Sequence, residues 1–333
     1  MVALACDGRT NAAGFAGTPL VFLWGPSDIV AYVRPVVLVI LLAVAGAVAY
    51  ARYAPFRLFA MYVTGRSPAC PLTEAVQSQS NIDRQVEIKD RILNASEKLQ
   101  DDPKGYHLWN TPKGHYWIPQ GSDYVLPFNL AEQERKIYGT GENGPHSGDI
   151  VLDCGANVGV TVREELNAGA QKVIAIEPGP ENLECLRRNF PGELASGKVI
   201  ISPKGVWDKD EVLTFRVDPK NSAADSFVIQ RAGAVNVEKV PVTTIDHLMK
   251  ELNLPRVDYI KMDIEGAETR ALEGAHDTLA KFKPRVSVAS YHEPDHPKRI
   301  PEIIRGARPD YVMQCGPCEE ISGGVRPDVL YFH

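Results

Sequence analysis

Residues 148–159 read Gly-Asp-Ile-Val-Leu-Asp-Cys-Gly-Ala-Asn-Val-Gly, and residues 174–178 read Ile-Ala-Ile-Glu-Pro. Each is a short apolar run that ends on a carboxylate, the pattern of a buried strand whose tip meets solvent. Between them, Val160 to Ala168 has the length of a helix. The rhythm continues in further apolar runs at Lys198 to Ser202, Val257 to Met262, Arg285 to Ser290, Tyr311 to Met313 and Val329 to Phe332. Strands alternating with helices predict an α/β fold, a mostly parallel sheet covered on both faces. Ligands of such sheets bind beyond the carboxyl ends of the strands.

The chemistry therefore belongs at those tips. Gly155 and Gly159 let backbone approach a ligand closely, and the following helix offers free N–H groups. A dinucleotide fingerprint, Gly-x-Gly-x-x-Gly, needs its second glycine where Asn157 stands. Asp153 places an anion at the turn, which suits a ligand carrying an ammonium better than a pyrophosphate. Glu177, followed by Pro178, comes 177−155 = 22 residues after Gly155, where a carboxylate can accept hydrogen bonds from both hydroxyls of a ribose. A ligand-free turn and an exposed loop glutamate are the plain alternatives.

In Tyr259-Ile-Lys-Met-Asp-Ile-Glu-Gly-Ala-Glu268, the charges Lys261, Asp263 and Glu265 alternate with apolar residues and share one face. His292 follows the next strand, and an unperturbed imidazole titrates near neutral pH, which suits a general base. Asp263, Glu265 and His292 could instead hold a divalent metal. Glu265 and Glu268 read equally well as acids in a first helical turn, and His292 as a structural hydrogen-bonding group.

Taken in order, the runs 148–159, 174–178 and 259–268 resemble the FkbM-type methyltransferase family, with the likeness extending from about Glu132 to His292. That resemblance implies a class I (Rossmann-like) fold of seven strands, the last antiparallel. It implies S-adenosylmethionine as methyl donor and a hydroxyl acceptor on a sugar, glycan or small metabolite. By it, Asp153, Gly155 and Gly159 line the methionine part, Glu177 holds the ribose, and Trp207 and Asp208 edge the adenine. A nicotinamide dehydrogenase on a similar sheet lacks its glycines here, and a non-catalytic cofactor-binding adaptor is the other rival. The fourth strand also lacks the Asn/Asp-Pro-Pro-aromatic loop of many N-methylating enzymes, which favours oxygen as acceptor atom.

A net charge of −6 over 333 residues excludes a basic footprint for nucleic acid. The six cysteines do not read as the framework of a small secreted domain, and Cys315-Gly-Pro-Cys318 reads as a turn between the last two strands. Residues 1–28 form an N-terminal extension. Residues 29–54 form a single-pass anchor, since Pro35 to Ala51 carries no charge. A linker is expected over 55–72, a helix-and-hairpin cover over 73–148 and the catalytic domain over 149–333. Ile88, Ile92, Ala95 and Leu99 predict a helix that Asp102-Pro103 stops, and His107 to Ile118 predicts a hairpin. Arg34 before the apolar run faces Arg52, Arg57 and Arg66 after it, a bias that places the catalytic domain on the cytoplasmic side. Asn94-Ala-Ser96 is a glycosylation acceptor that would report a lumenal location.

Overall fold

The computed structural model describes residues 26–218, 220–230, 236–321 and 323–333. Most of the extension expected over 1–28 lies outside the described residues. The chain forms two units, 1–52 and 53–333. The first holds α1 (Pro26–Arg52), whose portion Val33–Arg52 has mean hydropathy 2.2 over 20 residues. That length and composition suit a membrane span, and a signal sequence passes the same test.

The second unit opens on α2 (Ala54–Val63), a difference from the expected linker. Its Leu58 and Met61 are buried, Arg57 pairs with Glu320 at 2.8 Å, and Arg66 O accepts Val325 N–H at 2.9 Å. Apolar residues every third position gave this segment a face to bury, which its prolines and glycine obscured in the sequence. Helix α3 (Leu72–Asn94) follows, and Cys70 just before it is disulfide-bonded to Cys318.

Helix α3 stops at Asn94, short of the expected Leu99, because Glu97–Asp102 becomes strand β1 and pairs with β2 (Tyr106–Thr111). Leu99 is 48% exposed, so the last member of the apolar repeat had no core to join. Strand β3 (Gly114–Pro119) completes this antiparallel sheet, and α4 (Val125–Arg135) follows. Ile88, Ile92, Tyr116, Ile118 and Leu130 pack with Val158 and Val160, which seats this N-terminal cover on the main sheet.

The main sheet begins with β4 (Ile150–Cys154), α5 (Val160–Asn167), β5 (Lys172–Ile176), α6 (Pro180–Asn189), α7 (Pro191–Ala195) and β6 (Val199–Ser202). A small three-stranded sheet of β7 (Gly205–Val206), β8 (Glu211–Val217) and β9 (Asn236–Thr243) interrupts it. Then come α8 (Ile245–Glu251), β10 (Tyr259–Met262), α9 (Glu268–Glu273), α10 (His276–Phe282), β11 (Arg285–Ala289), α11 (His296–Ala307) and β12 (Met313–Cys315). The hairpin β13 (Cys318–Ile321) and β14 (Gly324–Pro327) precedes the final strand β15 (Val329–Phe332).

The seven strands run β12-β15-β11-β10-β4-β5-β6, with β15 alone antiparallel to its neighbours. This is the class I methyltransferase order that the resemblance implied. Leu183, Leu186 and Phe190 pack with Val173 and Val199 on one face. Ile245, Leu272, Leu279 and Ile300 pack with Ile174, Ile260 and Val288 on the other. With both faces covered, the open ends of the strands are where a ligand can enter.

Candidate functional site

A cleft opens at the carboxyl ends of β4, β5 and β10. Its floor is Gly155 to Asn157, Glu177 with Pro178, and Asp263 to Glu265. Asn129, Glu132 and Tyr138 border it from the N-terminal cover, and Phe215, Asp225 and Phe227 from the small sheet and the turn beside it. Gly155 sits at φ +82, and a Cβ there would overlap the backbone oxygen of Asp263. Glycine is required at this place because β4 and the loop after β10 meet there.

Asp153 lies beneath the cleft rather than in it. It is fully buried, and Lys261 Nζ stands 3.1 Å from Oδ1 while Thr161 donates to Oδ2 at 2.5 Å. Lys261 also donates to Gly155 O at 2.8 Å. Although burial opposes its charge, Asp153 keeps the Lys261 ammonium above its ordinary pKa. The expected contact of Asp153 with a ligand's ammonium is therefore replaced by a buried ion pair that fixes the turn Gly155–Asn157. Gly159 likewise does not line the cleft. It starts α5 at φ +92 against the Phe190 ring, where a side chain would clash.

Glu177 stands at the tip of β5. It is 4% exposed, accepts Gly179 N–H at 2.7 Å and Asn157 N–H at 2.8 Å, and lines the cleft. Burial pushes its carboxyl up to about 7 against these hydrogen bonds. Asp225, which no sequence pattern singled out, lines the same end, and burial raises it to about 8. Its position comes from the turn before the small sheet closes, with no strand tip to announce it.

At the other end, the three candidate catalytic residues come together. His292 Nε2 lies 3.6 Å from Asp263 Oδ1 and 3.5 Å from Glu265 Oε2. Tyr138 donates to Asp263 Oδ2 at 2.6 Å. Glu268 binds His292 Nδ1 at 2.9 Å and accepts Ile264 N–H and Gly266 N–H, each at 3.0 Å. Burial opposes charge on His292, yet Glu268 and Glu265 hold its imidazole well above the ordinary value. Burial raises Asp263 against the pull of His292 and Lys261. Asp263 and Glu265 face the cleft, and His292 lies behind them.

Trp207 and Asp208 do not edge the cleft; Lys204, Gly205 and Val206 do. Strand β7 ends after two residues, Trp207 N–H binds Thr243 O, and Arg270 takes up Asp208 at 2.7 Å. Of the tyrosines of the site, Tyr138 arrives from outside the strand–helix repeat, while Tyr291 stands just past the tip of β11 beside His292 and was passed over there.

The acid-rich wall fits a cationic sulfonium bearing an amino acid, and Glu177 fits a diol. Residues 153–310 match the methyltransferase FkbM domain. The hexuronic acid methyltransferase AglP of Haloferax volcanii is 22% identical over 160 residues, covering 48% of this chain and 63% of that protein. The 2-O-methyltransferase NoeI of Sinorhizobium fredii is 28% identical over 153 residues, covering 40% of this chain and 60% of that protein. Both alignments therefore span under two thirds of the relative. A solved FkbM methyltransferase from Methylobacillus flagellatus aligns with TM-score 0.42 at 19% identity, covering 78% of this chain and 62% of that one.

Proposed function

Because the chain carries an FkbM-type methyltransferase domain over residues 153–310, we propose that it methylates a hydroxyl of a sugar or glycan with S-adenosylmethionine. One observation carries this reading. A single cleft at the strand tips has the buried carboxylate of Glu177 at one end and the group Asp263, Glu265 and His292 at the other. The donor supplies a methyl group on an electrophilic sulfur, so the protein has to bind, align and manage one proton. Gly155, Asn157, Glu177 and Pro178 hold the nucleoside side, joined by Asp225. Asp263, Glu265 and His292 at the other end manage the proton of the acceptor hydroxyl. The two named relatives act on a hexuronic acid and at a 2-O position, which supports a sugar acceptor here.

The test uses the full chain in detergent with methyl-labelled donor and a panel of hexose and hexuronate glycans. Label recovered in a base-stable O-methyl ether is the expected result. Tight NADH binding with no response to S-adenosylmethionine would overturn the reading.

Helix α1 is proposed to tether the protein to a membrane. The three-to-one arginine bias favours a cytoplasmic catalytic unit. The Cys70–Cys318 bond favours the opposite side, because such bonds seldom persist in a reducing cytosol. The disulfide supports a non-cytoplasmic catalytic unit, since the bias rests on four arginines and large domains translocate largely regardless of flanking charge.

A further inference from the structure

His292 has an unusual setting for a base. Its side chain is 2% exposed, and Glu268 fixes the ring through Nδ1. Nε2 is thereby aimed into the gap between Asp263 Oδ1 and Glu265 Oε2, at 3.6 and 3.5 Å. Among the described residues, neither Nε2 nor Asp263 Oδ1 has a hydrogen-bond partner, and both atoms are buried. Nε2 and Asp263 Oδ1 meet each other only as a 3.6 Å ion pair, too long for a hydrogen bond, and a cation seated between them would satisfy both at closer range. One ligand atom from each of the three residues can be chosen so that all lie within 4.8 Å of one another. A cation bound at about 2.1 Å in octahedral or tetrahedral geometry sets neighbouring ligands about 3.0–3.5 Å apart.

We infer that Asp263, Glu265 and His292 form a divalent-cation site, with Glu268 as the residue that positions His292. A carboxylate on the far nitrogen of a metal-binding imidazole is the usual support, and Glu268 occupies that place. Tyr138 orients Asp263 in the same way through Oδ2. Glu265 stands at φ 55 with Gly266 at φ 98 after it, a left-handed turn in the loop that carries the carboxylate. One imidazole and two carboxylates select an ion of the Mn²⁺, Mg²⁺ or Zn²⁺ kind and leave positions open toward the cleft. There the ion would polarise an acceptor hydroxyl. That role rests on the methyltransferase reading; the site itself does not.

The experiment is Mn²⁺ titration of chelator-stripped full chain in detergent, followed by electron paramagnetic resonance of the free ion. One saturable site is expected in the wild type. His292→Ala and Glu265→Gln should each weaken it at least tenfold. Glu268→Gln should weaken it about 10–100-fold while S-adenosylmethionine binding persists. A wild type that binds no Mn²⁺ saturably, or affinity unchanged by His292→Ala, overturns the site. Saturable Mn²⁺ without any binding of S-adenosylmethionine would keep the site and sink the methyltransferase reading.

Discussion

Glu177 is a single residue whose protonation state would set donor binding under the proposed function. As a carboxylate it would accept from both ribose hydroxyls, and as an acid it would accept less well. With its carboxyl at about 7, donor affinity should rise as pH increases from about 6 to 8. Calorimetry at several pH values checks this, and Glu177→Ala should weaken binding by more than about tenfold and flatten the profile. Stability runs the other way. The folded value lies above the unfolded one, so the stabilisation is complete below about 4.5 and is lost as pH rises through about 7. Asp225, raised to about 8, adds to the same trend. Lys261 sets a second test. Lys261→Met would strand the buried Asp153 charge, and unfolding by denaturant should register a loss of about 3–5 kcal/mol.

Helix α2 is the element that the sequence hid. Its expected consequence is measurable: Leu58→Ala empties a fully buried position and should cost about 2–5 kcal/mol in thermal or chemical unfolding. A true linker would tolerate the change. The strands and helices from Ile150 onward were legible because period-two and all-apolar runs must be buried and their polar tips must not. The site acids Glu177, Asp263 and Glu265 were legible for the same reason, since each ends or follows a strand. The hairpin β13–β14 was not, because Cys318–Ile321 mixes charged and apolar residues without a clean period. Strand β8 did carry a signal that went unread, Leu213, Phe215 and Val217 alternating with Thr214 and Arg216. Trp207 and Asp208 fall just beyond the cleft's edge, past a two-residue strand whose end no local pattern marks. The pairing of Asp153 was not legible, because its partner, Lys261, lies over a hundred residues away, on the neighbouring strand.

At the scale of the whole molecule, the orientation across a membrane is open to direct measurement. In sealed vesicles with their cytoplasmic face outward, protease should spare residues 53–333. In a cell that glycosylates asparagine, exposed Asn94 should gain a glycan that Asn94→Gln removes. Digestion of that domain in intact vesicles would return it to the cytoplasm. Reductant should lower the melting temperature of the purified chain, a long covalent loop being worth about 2–4 kcal/mol. The bond between Cys70 and Cys318 also encircles nearly all of the main sheet while leaving β15 beyond it, although β15 is threaded between β11 and β12. A single cut anywhere from 71 to 317 therefore severs the backbone without releasing a fragment. Such a nicked protein would migrate as one species until a thiol is added, and only then separate into two bands.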